Sequence, residues 1–111
     1  CIRDRFTTAK IAGIQAAKKT YQLIPLCHNI KIDHISLDFE FQDKESSILI
    51  NSYIRCEDKT GIEIEALNSV MIAALTVYDM CKSLDKGIEI KNIKLIRKKG
   101  GKSGEFTNDF S

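Results

Sequence analysis

The 111-residue sequence predicts an α+β fold, an antiparallel sheet carrying two helices on one of its faces. Three observations support this prediction. The stretch from Thr60 to Lys82 repeats its apolar residues at spacings of three and four, the period of a helix face. The segment from Ile35 to Phe41 alternates apolar and polar residues, the period of a half-buried strand. An alanine-rich, helix-favouring run from Ala9 to Thr20 precedes both.

Length and composition bound what the chain can be. Residues 1–111 suffice for one domain that buries roughly two-thirds of the surface its unfolded chain exposes. A net charge of +2 supplies no global field for a nucleic-acid partner. Only the C-terminal part is strongly basic, with Lys94, Arg97, Lys98, Lys99 and Lys102 and no acid among them. No apolar run approaches the ~20 residues of a membrane helix and no signal-peptide pattern is visible, so a cytoplasmic protein without a membrane partner is expected. Cys1, Cys27, Cys56 and Cys81 form no C-x-x-C pair and no zinc-ligand spacing, which reads as reduced thiols without a metal site. A first residue of Cys1 rather than Met predicts a processed, trimmed or truncated N terminus.

Taken in order, residues 1–6 carry no clear period. Thr7 or Thr8 is expected to cap a helix reaching Lys19, in which Gly13 and the alanines permit close approach of a neighbour. Pro25 disfavours helix at Ile24, which leaves Cys27 and His28 in a short rigid connection. Ile35, Leu37, Phe39 and Phe41 define a first strand, and the opposite parity of Ile30 and Ile32 predicts a bulge near Asp33 and His34. Turn chemistry at 43–47 joins it to a second strand with Ile48, Ile50, Ile54 and Cys56 in phase, an antiparallel hairpin. In the helix from Thr60, a capping box of Thr60 and Glu63 sets the start, and Ile64, Leu67, Val70, Met71, Ala74, Leu75 and Tyr78 form the stripe expected to be buried. A third strand is expected after Gly87, with a parity slip near Asn92, before a flexible glycine-rich loop and tail at about 99–111. One further strand before the first helix completes βαββαβ, a ferredoxin-like sandwich. That strand is either a degenerate residues 1–6 or lies upstream of Cys1.

The residues that could carry chemistry each have a bland reading too. The Lys98–Gly104 segment is not a P-loop, since Ile96 stands where that motif needs glycine, yet its free backbone N–H groups beside lysines can wrap an anion. A solvated basic tail is the alternative. Cys27 and His28 read as a weak nucleophile–base pair or as a core cysteine beside a satisfied histidine; His28 alone can act as acid, base or phosphate ligand. Asp79 and Lys82, one helical turn apart, form either a surface ion pair or a general acid/base unit. Glu63 is explained by the capping box and Glu65 by a solvated first turn.

Five motifs in sequence, Ala9–Thr20, Leu23–Asn29, Lys59–Leu67, Ala74–Lys82 and Lys98–Phe106, closely resemble the molybdenum cofactor biosynthesis protein C family, the cyclic pyranopterin monophosphate synthases. The resemblance implies a ferredoxin-like subunit in a hexamer of three dimers, with active sites at the dimer interface. It implies a lyase that converts 3′,8-cyclo-7,8-dihydro-GTP to cyclic pyranopterin monophosphate and releases pyrophosphate, with no cofactor. By the same resemblance Asp79 is the general acid/base and Lys82 the catalytic lysine, while Cys27, His28, Glu63, Ile64, Glu65 and Lys102 bind substrate. Where the family has Lys-Gly-Asp-Val-Phe, this chain reads Ile2-Arg3-Asp4-Arg5-Phe6, and the proline after the histidine is Asn29. Two other function classes are a catalytically inactive homologue that binds nucleotide or a partner chain, and a ferredoxin-like RNA-binding module. The last would need aromatics free on the sheet, whereas Phe39 and Phe41 share the parity of the core.

Overall fold

The computed structural model describes residues 2–25, 30–42, 47–56, 62–84, 87–98 and 106–107. Their order is α1 (Ile2–Lys18), α2 (Thr20–Leu23), β1 (His34–Gln42), β2 (Ser47–Arg55), α3 (Glu63–Cys81), β3 (Arg97–Lys98) and β4 (Phe106–Thr107). The arrangement is α+β, with β1 and β2 in an antiparallel ladder and α1 and α3 packed on it, compatible with a ferredoxin-like sandwich.

Helix α1 begins at Ile2, earlier than a cap at Thr7 or Thr8 would allow. Thr8 sits inside it, its Oγ1 donating to the Asp4 carbonyl at 2.9 Å, the back-bond by which a helix absorbs a threonine. Residues 2–6 are therefore helical and do not supply a first strand. The chain breaks at Lys19 and resumes for one turn as α2, after which Ile24 turns extended (φ −102°, ψ 118°) ahead of Pro25.

The β1–β2 ladder is unbroken from His34 opposite Arg55 to Gln42 opposite Ser47. No bulge forms: the strand starts at His34, and Ile30 and Ile32 precede it in irregular chain. The Asp33 N–H still donates to the Arg55 carbonyl at 2.9 Å, extending the pairing by one bond. One face gathers Ile35, Leu37, Phe39 and Phe41 with their partners Ile54, Ser52, Ile50 and Ile48, as the alternation dictates. Phe6 of α1 stacks on Phe39 and tilts against Phe41, both at 5.2 Å between ring centroids, so this aromatic pair is engaged by the helix.

The helices run antiparallel. Asn68 near the start of α3 meets Ala16 at the end of α1 and Thr20 at the start of α2, and Cys81 at the end of α3 meets Arg5 near the start of α1. Their seam is built of small side chains, Ala9, Gly13, Ala16 and Ala17 against Ser69, Ala73 and Val77. A Cβ on Gly13 would lie 2.6 Å from Leu37 Cδ1 and 2.9 Å from the Ser69 carbonyl oxygen, so only glycine lets the two backbones close to this distance.

This seam shifts the buried face of α3 away from part of the expected stripe, of which Leu67, Val70, Ala74 and Tyr78 stay half-buried. Its buried residues are Glu65, Ser69, Ala73 and Val77, whereas Ile64, Met71 and Leu75 of the apolar stripe are 40%, 44% and 54% exposed. At ~100° per residue those three stand about 160° or more around the helix from Ala73. The periodicity locates an apolar face correctly, but the alanine- and glycine-lined α1 can seat only small partners, so the bulky face turns away. The helix also starts two residues later than a Thr60 cap requires. Ile62 takes the N-cap position and offers no side-chain hydrogen bond, with Thr60 itself outside the described residues. Its 19 residues, at mean hydropathy 1.3, are long and apolar enough to cross a membrane by length and composition, contrary to the sequence expectation. Its Glu65–Val77 seam nonetheless packs on α1.

The expected third strand does not form as a long element. Residues 88–96 are irregular, and Asn92, where the parity slips, has a left-handed φ of 59°. Only Arg97–Lys98 pairs, with Phe106–Thr107, and this short antiparallel ladder brings the tail back on the chain.

Candidate functional site

The C-terminal end of α3 carries the charged pair. Asp79 lies in the last full turn and Lys82 is the C-cap residue, with φ −61° and ψ −26°. That spacing places the two side chains together, and Lys82 Nζ donates to Asp79 Oδ1 at 3.0 Å. Both side chains are largely exposed, 60% for the lysine and 69% for the aspartate. The hydrogen bond to Asp79, and then the attraction of its charge, raise the Lys82 pKa above the ordinary lysine value. The ammonium therefore stays protonated through neutral pH, and it also faces the negative end of the α3 dipole. A carboxylate hydrogen-bonded to an accessible ammonium can take a proton at one atom while the other cancels developing negative charge. The same end of the molecule holds Arg5, whose Nη1 lies 4.0 Å from the Cys81 thiol. Cys56 and Cys81 are unbridged.

The N-terminal end of α3 holds three more of the predicted residues, and they do not share a face. Ile64 is exposed, Glu63 half-buried, and Glu65 only 3% exposed within the α1–α3 seam. The solvated first-turn acid expected at Glu65 is therefore a buried one. Asn68 secures this end: its Nδ2 donates to the Ala16 carbonyl and to Thr20 Oγ1, both at 3.1 Å, while Thr20 Oγ1 donates to the Ala16 carbonyl at 2.8 Å. From Glu63 to Asp79 the helix advances about 24 Å at ~1.5 Å per residue. One protomer thus keeps the Asp79–Lys82 pair and the Glu63–Glu65 segment at opposite ends of α3.

Cys27, His28 and Lys102 lie outside the described residues. Two shallow hollows of about 220 and 280 Å³ flank β1, one lined by Lys18, Asp33 and His34, the other by Phe6, Lys10 and Asp38. Neither contains a predicted site residue. Among the described residues no group of His, Cys, Asp and Glu is placed to hold a metal ion. Sequence reasoning missed the tether at Asn68 and the approach of Arg5 to Cys81. Both are contacts between residues far apart in the chain, which local spacing does not register.

Comparison with known proteins supplies the context for these positions. The MoaC family model matches residues 3–101. A cyclic pyranopterin monophosphate synthase from Desulfatibacillum aliphaticivorans is 55% identical over 102 residues, covering 92% of this chain and 64% of that protein. A second, from Roseiflexus sp. (strain RS-1), is 48% identical over 106 residues, covering 96% of this chain and 67% of that protein. The chain thus spans about two-thirds of the length of these curated relatives. A match across nearly its whole length, with identity near half, settles the relationship: the chain belongs to the MoaC family.

Proposed function

We propose that the chain forms the core of a cyclic pyranopterin monophosphate synthase, a lyase of molybdenum cofactor biosynthesis acting on 3′,8-cyclo-7,8-dihydro-GTP. The observation that carries this reading is the exposed Asp79–Lys82 pair, held at 3.0 Å on the last turn of α3 in a chain with 48–55% identity to synthases of that name. In the final step a sugar hydroxyl attacks the α-phosphorus. The new P–O bond closes the cyclic phosphate, the bond to the bridging oxygen breaks, and pyrophosphate departs. Asp79 accepts and returns protons during the preceding rearrangement, and the Lys82 ammonium donates a proton or offsets the charge that develops. Glu63, Ile64 and Glu65 form the ring-binding segment, with Glu65 supporting it from the buried side. Cys27 and His28 line the pocket, and Lys102 of the glycine-rich loop meets phosphate. The chemistry is proton transfer and phosphoryl displacement, for which positioned acids, bases and cations suffice without a cofactor.

The site is shared between protomers of a cytoplasmic homo-oligomer, a hexamer arranged as a trimer of dimers. Support comes from the length of α3, which separates the two groups of site residues by about 24 Å within one chain. A two-fold dimer can bring one protomer's Lys82 end to its partner's Glu63 end. The exposed Ile64, Met71 and Leu75 supply apolar area for such an interface. The test is pyrophosphate release and pyranopterin formation from the cyclised dihydro-GTP, by this chain and by Lys82→Ala. Turnover that the substitution abolishes is expected; turnover that survives it removes Lys82 from the chemistry.

A further inference from the structure

The Asp79–Lys82 pair has a cationic neighbour that local sequence spacing does not reveal. Antiparallel packing brings the second turn of α1 beside the last turn of α3, where Arg5 Nη1 lies 4.0 Å from the sulfur of Cys81, the residue before Lys82. Arg5 is half-buried, so its guanidinium is held at this end by the packing around its stem. A thiol is a neutral, weak acceptor and occupies at most one of the five guanidinium N–H groups. No salt bridge joins Arg5 to a carboxylate among the described residues, while Lys82 at the same end is paired with Asp79. A partly desolvated guanidinium with unfilled donors is suited to a planar, two-oxygen acceptor.

We infer that Arg5 is a phosphate ligand of the candidate site, offering a two-pronged contact to a phosphoester or pyrophosphate group of the substrate. The inference rests on the reading of Asp79 and Lys82 as the reaction centre and adds to it Arg5, from the stretch Ile2-Arg3-Asp4-Arg5-Phe6 that stands where the family has its second lysine. Lys82 is a point charge committed to Asp79, whereas Arg5, whose Nη1 meets only the weak Cys81 thiol acceptor among the described residues, cannot be deprotonated near neutral pH. The two therefore divide the work, Lys82 with Asp79 handling protons and Arg5 fixing the phosphate. The contrasting role, a structural one, is neutralisation of the α3 dipole at its C-terminal end.

Calorimetric titration of the full chain with inorganic pyrophosphate, and with GTP as a triphosphate that lacks the cyclised ring, separates the two. Arg5→Met keeps the stem and removes the donors, Arg5→Lys keeps a charge without the fork, and Lys82→Ala serves as the reference. Arg5→Met is expected to weaken pyrophosphate binding about tenfold or more, as loss of charge-assisted hydrogen bonds implies, with Arg5→Lys in between. Unchanged affinity in Arg5→Met while Lys82→Ala weakens binding overturns the Arg5 inference and leaves the site reading in place. Unchanged affinity in both variants overturns the Arg5 inference, and turnover that survives Lys82→Ala is what removes the site reading. A lowered melting temperature with unaltered affinity makes Arg5 structural and overturns the inference. If Arg5→Met fails to fold, Arg5→Lys decides: affinity equal to that of the unmodified chain overturns it.

Discussion

At the scale of single residues, the fold depends on a few side chains that hold α1 and α3 in one alignment. Asn68 bridges the Ala16 carbonyl and the Thr20 hydroxyl, both of which lose a donor when the amide is removed. Asn68→Ala is therefore expected to destabilise the chain by about 1–3 kcal/mol, read as a lowered urea midpoint with little change in slope. Ser69 makes the opposite case. Its side-chain oxygen is buried on the same seam and has no hydrogen-bond partner among the described residues. Ser69→Ala is expected to leave the melting temperature unchanged or raise it, because the variant buries a methyl group where an unsatisfied hydroxyl stood. The charge of Lys82 also belongs to this scale. Its pKa is raised by Asp79, so the pair contributes below the ordinary lysine pKa and is lost as the pH climbs through the raised value. In a titration followed at the lysine Nζ by NMR, Asp79→Asn is expected to bring the Lys82 midpoint back down toward that of an isolated lysine. An unmoved midpoint would show that the contact is absent in solution.

At the scale of elements, the clearest dependence is the crossing of α1 over α3 and β1. Gly13 sits where a methyl group would meet the Ser69 carbonyl oxygen at 2.9 Å, and backbone cannot yield as a side-chain tip can. Gly13→Ala favours helix by propensity yet is expected to cost about 1–3 kcal/mol through overpacking, a sign that thermal denaturation reads directly. The hairpin and the alanine-rich helix were legible because their signals are local. Parity along Ile35–Phe41 and Ile48–Ile54 names the inner face of β1 and β2, and Pro25 ends the helical run. The existence of α3 was legible too, but not the way it faces. A stripe of Ile64, Met71 and Leu75 reads the same whether it meets its own core or another surface, and here the neighbour is a helix that admits only small groups. The third strand failed for a related reason. An alternating pattern at 88–96 marks a segment able to pair, while pairing itself depends on contacts that spacing within the segment does not register, and Asn92 there takes a left-handed φ of 59°. The bulge expected at Asp33 proved to be the end of the strand.

At the scale of the whole molecule, the proposed assembly and the proposed site both rest on α3. It carries Asp79 and Lys82 at one tip and Glu63–Glu65 at the other, with exposed apolar residues along the side between them. The i, i+3 spacing made the Asp79–Lys82 contact readable in the sequence, since helical geometry alone creates it. The separation of the two tips was equally implicit in the helix length. What spacing could not supply was which ends meet, because that depends on contacts between chains. Met71→Glu and Leu75→Glu are expected to dissociate the oligomer, measured by light scattering on a sizing column, with helical content retained because neither residue lies in the α1 seam. An unchanged oligomer would place the interface elsewhere.

The central claim is a reaction centre assembled from opposite ends of two α3 helices, and subunit mixing tests it most directly. Lys82→Ala and Glu63→Ala proteins, each inactive alone, would be unfolded together, refolded, and assayed for pyrophosphate release. Random pairing in two-fold dimers leaves about a quarter of the sites with both native groups, so activity is expected to return to about that fraction of the unmodified protein. Mixed oligomers that form and stay inactive would contradict the account, and would mean that each site takes both groups from one and the same protomer.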